Sequence, residues 1–167
     1  MELPATWLIG LNIGVWLVVH LAVAWLGTQL PVRFFSPGQW LYRERPWEAG
    51  GRFYERRFSI RQWKDRLPDG ARLFAAGFPK GRLKRATPAY LDRFVRETCR
   101  GEAIHWVVFG AAGLFFLWNP WWAGLVMIAY AAMANIPCIL SQRYNRLRLF
   151  RVLARSEAQR RDNVRSA

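Results

Sequence analysis

Two stretches of this chain hold no Asp, Glu, Lys or Arg: Ala5 to Leu26 and Ala103 to Leu140. No other feature limits the possible folds as much. At 1.5 Å per residue the first covers about 33 Å, enough to cross a hydrocarbon core about 30 Å thick as one helix. The second has Asn119-Pro120 near its middle and reads as a helical hairpin of two crossings. Its first arm, Ala103 to Trp118, is short for a bilayer. That arm must borrow length from the helix before it, or tilt little in a thinned patch. The expectation is an all-α integral membrane protein, one domain over 1–167, with three transmembrane helices at about 5–26, 103–118 and 121–140. Ala5 to Leu26 does not read as a cleaved signal peptide. Only Glu2 is charged before it, and the run exceeds the apolar core of a signal sequence.

Charge orients these crossings. Of 25 Lys and Arg residues, seventeen lie between Arg33 and Arg100 and eight between Arg143 and Arg165. None precedes the first run or sits in the hairpin turn. The positive-inside rule therefore places the segment 32–101 and the tail 141–167 in the cytoplasm, with the N-terminus and hairpin tip outside. The expected location is the cell membrane, multi-pass. Trp118, Trp121 and Trp122 then gather at the outer interface, where amphipathic rings settle. The same bias accounts for the net charge of +14, so nucleic acid is not an expected partner. Cys99 and Cys138 fall on or near the reducing side, which argues against a structural disulfide.

The basic segment is also aromatic, with Phe34, Phe35, Trp40, Tyr42, Trp47, Phe53, Tyr54, Phe58 and Trp63 in its first half. Disordered chains are poor in such residues, so this segment is expected to be ordered and to lie against the membrane. Pro37-Gly38, Gly50-Gly51, Asp69-Gly70 and Pro79-Lys80-Gly81 punctuate it. Phe58 to Leu67 reads as one short helix carrying Trp63 and Lys64. Thr87-Pro88 reads as a helix start, and the helix it opens can run unbroken through Glu102 and His105 into the membrane.

The last span ends in ANIPCILSQRYNRLRLF. Pro137 leaves the Met133 carbonyl without its helical donor, and Asn135 adds an amide at that depth. In an antiparallel hairpin Asn135 and His105 lie near the same end of the membrane and are able to meet. Gln142, Arg143, Tyr144, Asn145 and Arg146 follow as a dense polar run. Beyond them Leu147, Phe150, Leu153 and Ala154 form a stripe among arginines, as expected for an interfacial amphipathic helix over anionic headgroups.

Glu102 and His105, three residues apart, share a helical face at the mouth of an apolar run. Ionisable groups at such depth point to function. His20 lies deeper, among apolar residues, and reads as a helix-packing hydrogen bond. Glu-x-x-His is half of a di-iron motif, but the second half is missing, so no metal is expected. A phosphate-cradling glycine loop, a nucleophile elbow and a His with Asp five positions later are all absent.

The chain resembles the glycosyl-4,4'-diaponeurosporenoate acyltransferases, small membrane enzymes of staphyloxanthin-type carotenoid synthesis. The matching stretches are Leu26-Gly27-Thr28 with Pro31; Arg61 with Trp63-Lys64; Asp69-Gly70; Glu97-Thr98 with Arg100, Glu102 and His105-Trp106; Tyr130-Ala131; Ala134-Asn135 with Pro137; and Gln142-Arg143-Tyr144-Asn145-Arg146 with Arg148-Leu149. The resemblance implies transfer of a fatty acyl group to a sugar hydroxyl of a membrane glycolipid. It implies no cofactor beyond the acyl donor as co-substrate, such as acyl-CoA, acyl carrier protein or a phospholipid.

Ester formation calls for a general base, a group that polarises the acyl carbonyl, and a site that excludes water. His105 is the candidate base, with an unperturbed pKa of about 6.5. Glu102 is the candidate orienting carboxylate. Asn135 or Arg143 is the candidate oxyanion partner. Asn135, Gln142, Arg143, Tyr144, Asn145, Arg146, Trp63 and Lys64 are the candidate substrate contacts. The rival reading is a non-enzymatic scaffold, anchored by the helices, whose basic face binds anionic lipids or acidic partners.

Overall fold

The computed structural model describes residues 4–67 and 87–165, so the turns expected at Asp69-Gly70 and Pro79-Lys80-Gly81 lie outside the described residues. Those residues form helices joined by turns, with no strand among them. Helix α1 spans Ala5–Gln29 and ends where Leu30 turns extended before Pro31, as the residue preceding a proline tends to. Short helices α2 (Arg52–Phe58) and α3 (Ile60–Trp63) follow a 3-10 stretch at Pro46–Gly51. Helix α4 spans Pro88–Ala111 and α5 spans Trp121–Arg165.

Helix α4 starts at Pro88 behind Thr87, as the sequence suggests, and runs without a break through Glu102 and His105. The chain continues as a 3-10 helix over Ala112–Leu117. A 3-10 helix rises about 2.0 Å per residue against 1.5 Å for an α-helix, so these six residues reach about 3 Å further than an α-helical finish. The short arm thus gains length from both ends. The second arm is the first half of α5, and that helix passes through Pro137 unbroken to Arg165.

The apolar segments of α1, α4 and α5 share one core of Trp16, Val108, Ala112, Phe115 and Ala131, flanked by Val19, Val23 and Met127. Trp16 stacks on Phe115 at 4.5 Å between centroids and donates its indole N–H to the Met127 sulfur. At one end Asn12 and Asn119 exchange hydrogen bonds, both of 2.9 Å, and Trp118 Nε1 donates to Asn12. At the other end Gly27 brings α1 close to α4, where a Cβ on Gly27 would collide with the Ile104 side chain. Outward-facing Trp7, Ile13, Leu17, Val18, Trp121 and Trp122 stay exposed, as on helices solvated by lipid. Thr6–Gln29 and Trp121–Arg155 are each long and apolar enough to cross a membrane. The described residues are therefore all-helical apart from turns, with two helices long and apolar enough to cross a membrane.

Two expectations need correction. Phe58 to Leu67 is not one helix: Ser59 sits at φ 47, a left-handed break between α2 and α3, and Lys64–Arg66 closes as a 3-10 turn. The break lets Tyr54 and Ile60 both turn inward onto Tyr144 and Leu147 of α5. Nor does the stripe after Arg146 form a separate interfacial helix. It continues α5, and Leu149 and Leu153 pack on Phe94 and Val95 of α4 while Phe150 stays exposed.

Candidate functional site

The N-terminal half of α4 and the C-terminal part of α5 meet in a dense polar contact beyond the apolar core. Glu102 is buried, and both its oxygens accept from α5: Oε1 from Arg143 at 3.1 Å and Oε2 from Arg146 at 2.6 Å. Glu48, from the 3-10 stretch before α2, is fully buried and takes a two-pronged contact from Arg143 Nε at 2.5 Å and Nη2 at 2.9 Å. Two carboxylates face two guanidinium groups, so the buried charge balances. Tyr54 also donates to Glu48, at 2.5 Å. Burial pushes the Glu48 carboxyl up, but hydrogen bonds from Arg143, Tyr54 and the Arg45 backbone outweigh it and hold the group below the usual carboxylate range.

Arg143 is saturated. A guanidinium has five N–H donors. Here they meet the two Glu48 oxygens, Glu102, and the backbone carbonyls of Leu41 and Arg43. No donor remains for an oxyanion, so its expected role there is not supported. Arg146 is buried completely, donating to Glu102, the Tyr42 carbonyl and Thr98, with its cation over the Tyr42 ring. Arg100 pairs with Glu97 at 2.7 Å and reaches the Thr28 and Leu30 carbonyls at the end of α1. A cation there complements the negative end of that helix.

His105 turns to a different partner. Its Nδ1 lies 3.0 Å from the Asn135 side-chain oxygen, while the Asn135 amide donates to the Ala131 carbonyl at 2.9 Å. A carbonyl accepts only, so the Asn135 nitrogen must face Ala131 and its oxygen must face the imidazole. Nδ1 then carries the proton of the neutral ring, and Nε2 carries the lone pair. The meeting of His105 with Asn135 follows the sequence expectation. The Glu102 carboxylate, the expected orienting group, accepts from Arg143 and Arg146 of α5. Spacing along one helix identified the shared face but not what the other helix would bring to it.

The remaining candidates divide. Tyr144 is buried with Tyr54, Ile60 and Leu147, and its hydroxyl meets Glu55 at 3.0 Å. Trp63 packs beside them and donates to the Phe58 carbonyl. Lys64 pairs with Asp65. Of the expected substrate contacts, these three and Arg143 and Arg146 all make contacts within the protein. Gln142 and Asn145 are half-buried, and the Gln142 Oε1 is a buried acceptor with no hydrogen-bond partner among the described residues. It lies seven residues after Asn135 on the same face of α5, about 10 Å nearer the C-terminal end of that helix. The Cys99 thiol is buried, and burial pushes it up to about 11, so it stays protonated and is not a ready nucleophile. Sequence reasoning missed Glu48, an acidic residue in a basic segment whose role needs α5 beside it.

Residues 38–155 match the family model for glycosyl-4,4'-diaponeurosporenoate acyltransferase. The chain belongs to this family. It is 33% identical over 138 residues to the glycosyl-4,4'-diaponeurosporenoate acyltransferases of Staphylococcus aureus strains bovine RF122 / ET3-1 and USA300, covering 83% of each chain. No solved structure matches it. As an acyltransferase, the chain does not fit the scaffold reading. Many of the residues that carry the family resemblance (Gly27, Arg100, Glu102, Asn135, Arg143 and Arg146) build the contacts just described.

The Glu48 contact makes the acyltransferase acid-sensitive in a defined way. The folded-state value of Glu48 is depressed, so its stabilisation is complete above the unfolded carboxyl value of about 4.3 and fades as pH falls through the folded value. Glu48→Gln is expected to melt below the wild type at pH 7, with the gap closing as pH falls under about 4. Thermal midpoints in detergent across this range provide the check. A gap that stays constant with pH would contradict the assignment.

Proposed function

We propose that this acyltransferase crosses the membrane three times, with both basic segments cytoplasmic. We further propose that it esterifies a fatty acyl chain onto a sugar hydroxyl of a membrane glycolipid, such as a glycosylated carotenoid. The observation that carries the reading is His105 held by Asn135 at the end of an apolar bundle, with Nε2 as its basic nitrogen. The imidazole takes the proton of the sugar hydroxyl as its oxygen bonds to the acyl carbonyl carbon. The tetrahedral intermediate then collapses, the bond from carbon to the donor's leaving group breaks, and the imidazolium returns the proton to that group. The buried Gln142 oxygen is suited to accept from a second sugar hydroxyl, and Asn145 lies on the same polar end of α5.

Three crossings are supported by the packing of the α4 arm against both α1 and α5 in one apolar core. Contact between segment 32–67 and the cytoplasmic leaflet is supported by its exposed Phe34, Trp40, Trp47 and Phe58 beside exposed Arg33, Arg52, Arg56 and Arg57. The same cations suit an anionic acyl donor such as acyl-CoA or acyl carrier protein.

Lipid extracts of a host with and without the protein test the reaction. The expected result is an acylated glycolipid that appears only with the protein, while the unacylated form accumulates without it. Identical extracts would refute the reading. Reporter fusions at Gly70 and Ala167 are both expected in the cytoplasm, and either one outside would overturn the topology.

A further inference from the structure

The arginines at the far end of α5 stand where lipid headgroups do not reach. The sequence suggests a helix lying flat on the membrane there, but α5 continues without a break and stays packed on α4 through Leu149 and Leu153. Arg148 comes eight residues after Leu140, the last residue of the charge-free run, and Arg155 fifteen. At 1.5 Å per residue they stand about 12 Å and about 22 Å beyond it. The headgroup layer is only about 5–8 Å thick on each side of a bilayer.

Arg148, Arg151 and Arg155 follow at i, i+3 and i+7, on one face of α5. Arg151 donates to Glu55 of α2 at 2.6 Å, and the Tyr144 hydroxyl meets the same carboxylate oxygen at 3.0 Å. The Arg151 hydrogen bond holds the Glu55 carboxyl below the usual carboxylate range, and the charge of Arg61 on α3 adds to this. Burial and Glu55 push the Tyr144 hydroxyl up, while the charges of Arg148 and Arg61 act against them. Three guanidinium groups from two elements thus gather about one carboxylate, which balances only one of them. Arg61, Arg148 and Arg155 are exposed.

We propose that this arginine face docks a soluble acidic carrier protein that brings the acyl chain as a thioester. This rests on the topology and acyltransferase reading above and adds what delivers the acyl group. A partner met beyond the headgroups is soluble, and one that meets surplus arginines is acidic. The cations spread about 10 Å along α5 and across to α3, wider than one phosphate group and matched by acidic side chains at helical spacing. Arg148 lies thirteen residues after Asn135, about 20 Å from the His105 level. An acyl chain seated directly on a docked protein does not cross that gap, whereas one carried on a long pantetheine arm does. At His105 the ester C–O bond forms as the thioester C–S bond breaks, and the leaving sulfur takes the proton from the imidazolium.

The test supplies one acyl chain as the thioester of the host's acyl carrier protein, of coenzyme A and of pantetheine. The membranes hold the unacylated glycolipid and either wild type, Arg61→Glu, or Arg148→Glu with Arg155→Glu, normalised to inserted protein. The wild type is expected to have its lowest KM with the carrier thioester. The reversals should raise that KM about tenfold or more, because like charges then face each other. The kcat should stay within about twofold, and the KM for the pantetheine thioester should not move. Raising salt from about 0.05 M to about 0.3 M should weaken the wild type toward the carrier thioester in the same way. An unchanged carrier KM in the variants would overturn the proposal. So would an equal change with all three donors, which assigns the arginines to the fold, or a change confined to the coenzyme A thioester, which assigns them to nucleotide phosphates. If no thioester is used while host extracts still contain the acylated glycolipid, the docking proposal fails and the acyltransferase reading stands. Identical extracts would remove that reading itself.

Discussion

His105→Ala is expected to reduce acyl transfer about 10²–10⁴-fold while the inserted amount of protein stays near normal. The magnitude is that of losing a general base. Stability should be affected little, because His105 is only half-buried and the ion-pair cluster that ties α4 to α5 uses Glu102 instead. Asn135→Ala is expected to lose less, since the imidazole remains and only its orientation is lost. Glu102→Gln should behave differently from both, lowering the yield of folded protein more than the turnover of what folds. His20→Ala should cost less turnover than His105→Ala, because it removes no group from the reacting atoms. The measurement is transfer to the glycolipid in membranes, normalised to inserted protein. Near-normal turnover by His105→Ala would remove the imidazole from the mechanism.

The second large effect is on folding. Arg146→Ala leaves Glu102, 1% exposed, with one guanidinium instead of two and opens a void beneath Tyr42. Removing one member of a buried ion pair costs about 3–5 kcal/mol, a large part of the total stability of a domain this size. The double variant Arg146→Ala with Glu102→Ala is expected to recover part of that loss, because the orphaned carboxylate goes as well. Arg148→Ala, on the exposed side of the same turn, should stay within about 0.5 kcal/mol. Thermal unfolding in detergent measures all three. A single Arg146→Ala variant as stable as Arg148→Ala would contradict the burial and pairing described here.

Much of the site was legible as position and little of it as partnership. The charge-free runs, the Thr87-Pro88 start and the antiparallel hairpin together predict that Asn135 meets His105, and the two side chains do meet. The polar run from Gln142 to Arg146 reads in the sequence as a set of substrate contacts. On a helix, five consecutive residues point in all directions, so Arg143 reaches Glu48, Tyr144 enters the core and Gln142 turns elsewhere. Ser59 had no sequence signal for its left-handed backbone, since that residue takes the conformation only where packing on both sides demands it.

Local chemistry along the chain determined the helical class, the apolar lengths and the candidate base, because hydrophobic run length and proline or threonine placement act within a few residues. Tertiary structure alone decided that the Asn135 oxygen meets His105 Nδ1, that Arg143 is spent on Glu48, Glu102 and two carbonyls, and that His20 Nε2 is buried with no hydrogen-bond partner among the described residues. Those outcomes depend on which side chains arrive from other helices. A buried charge or amide takes the partner that best satisfies it, and sequence distance has no part in that choice.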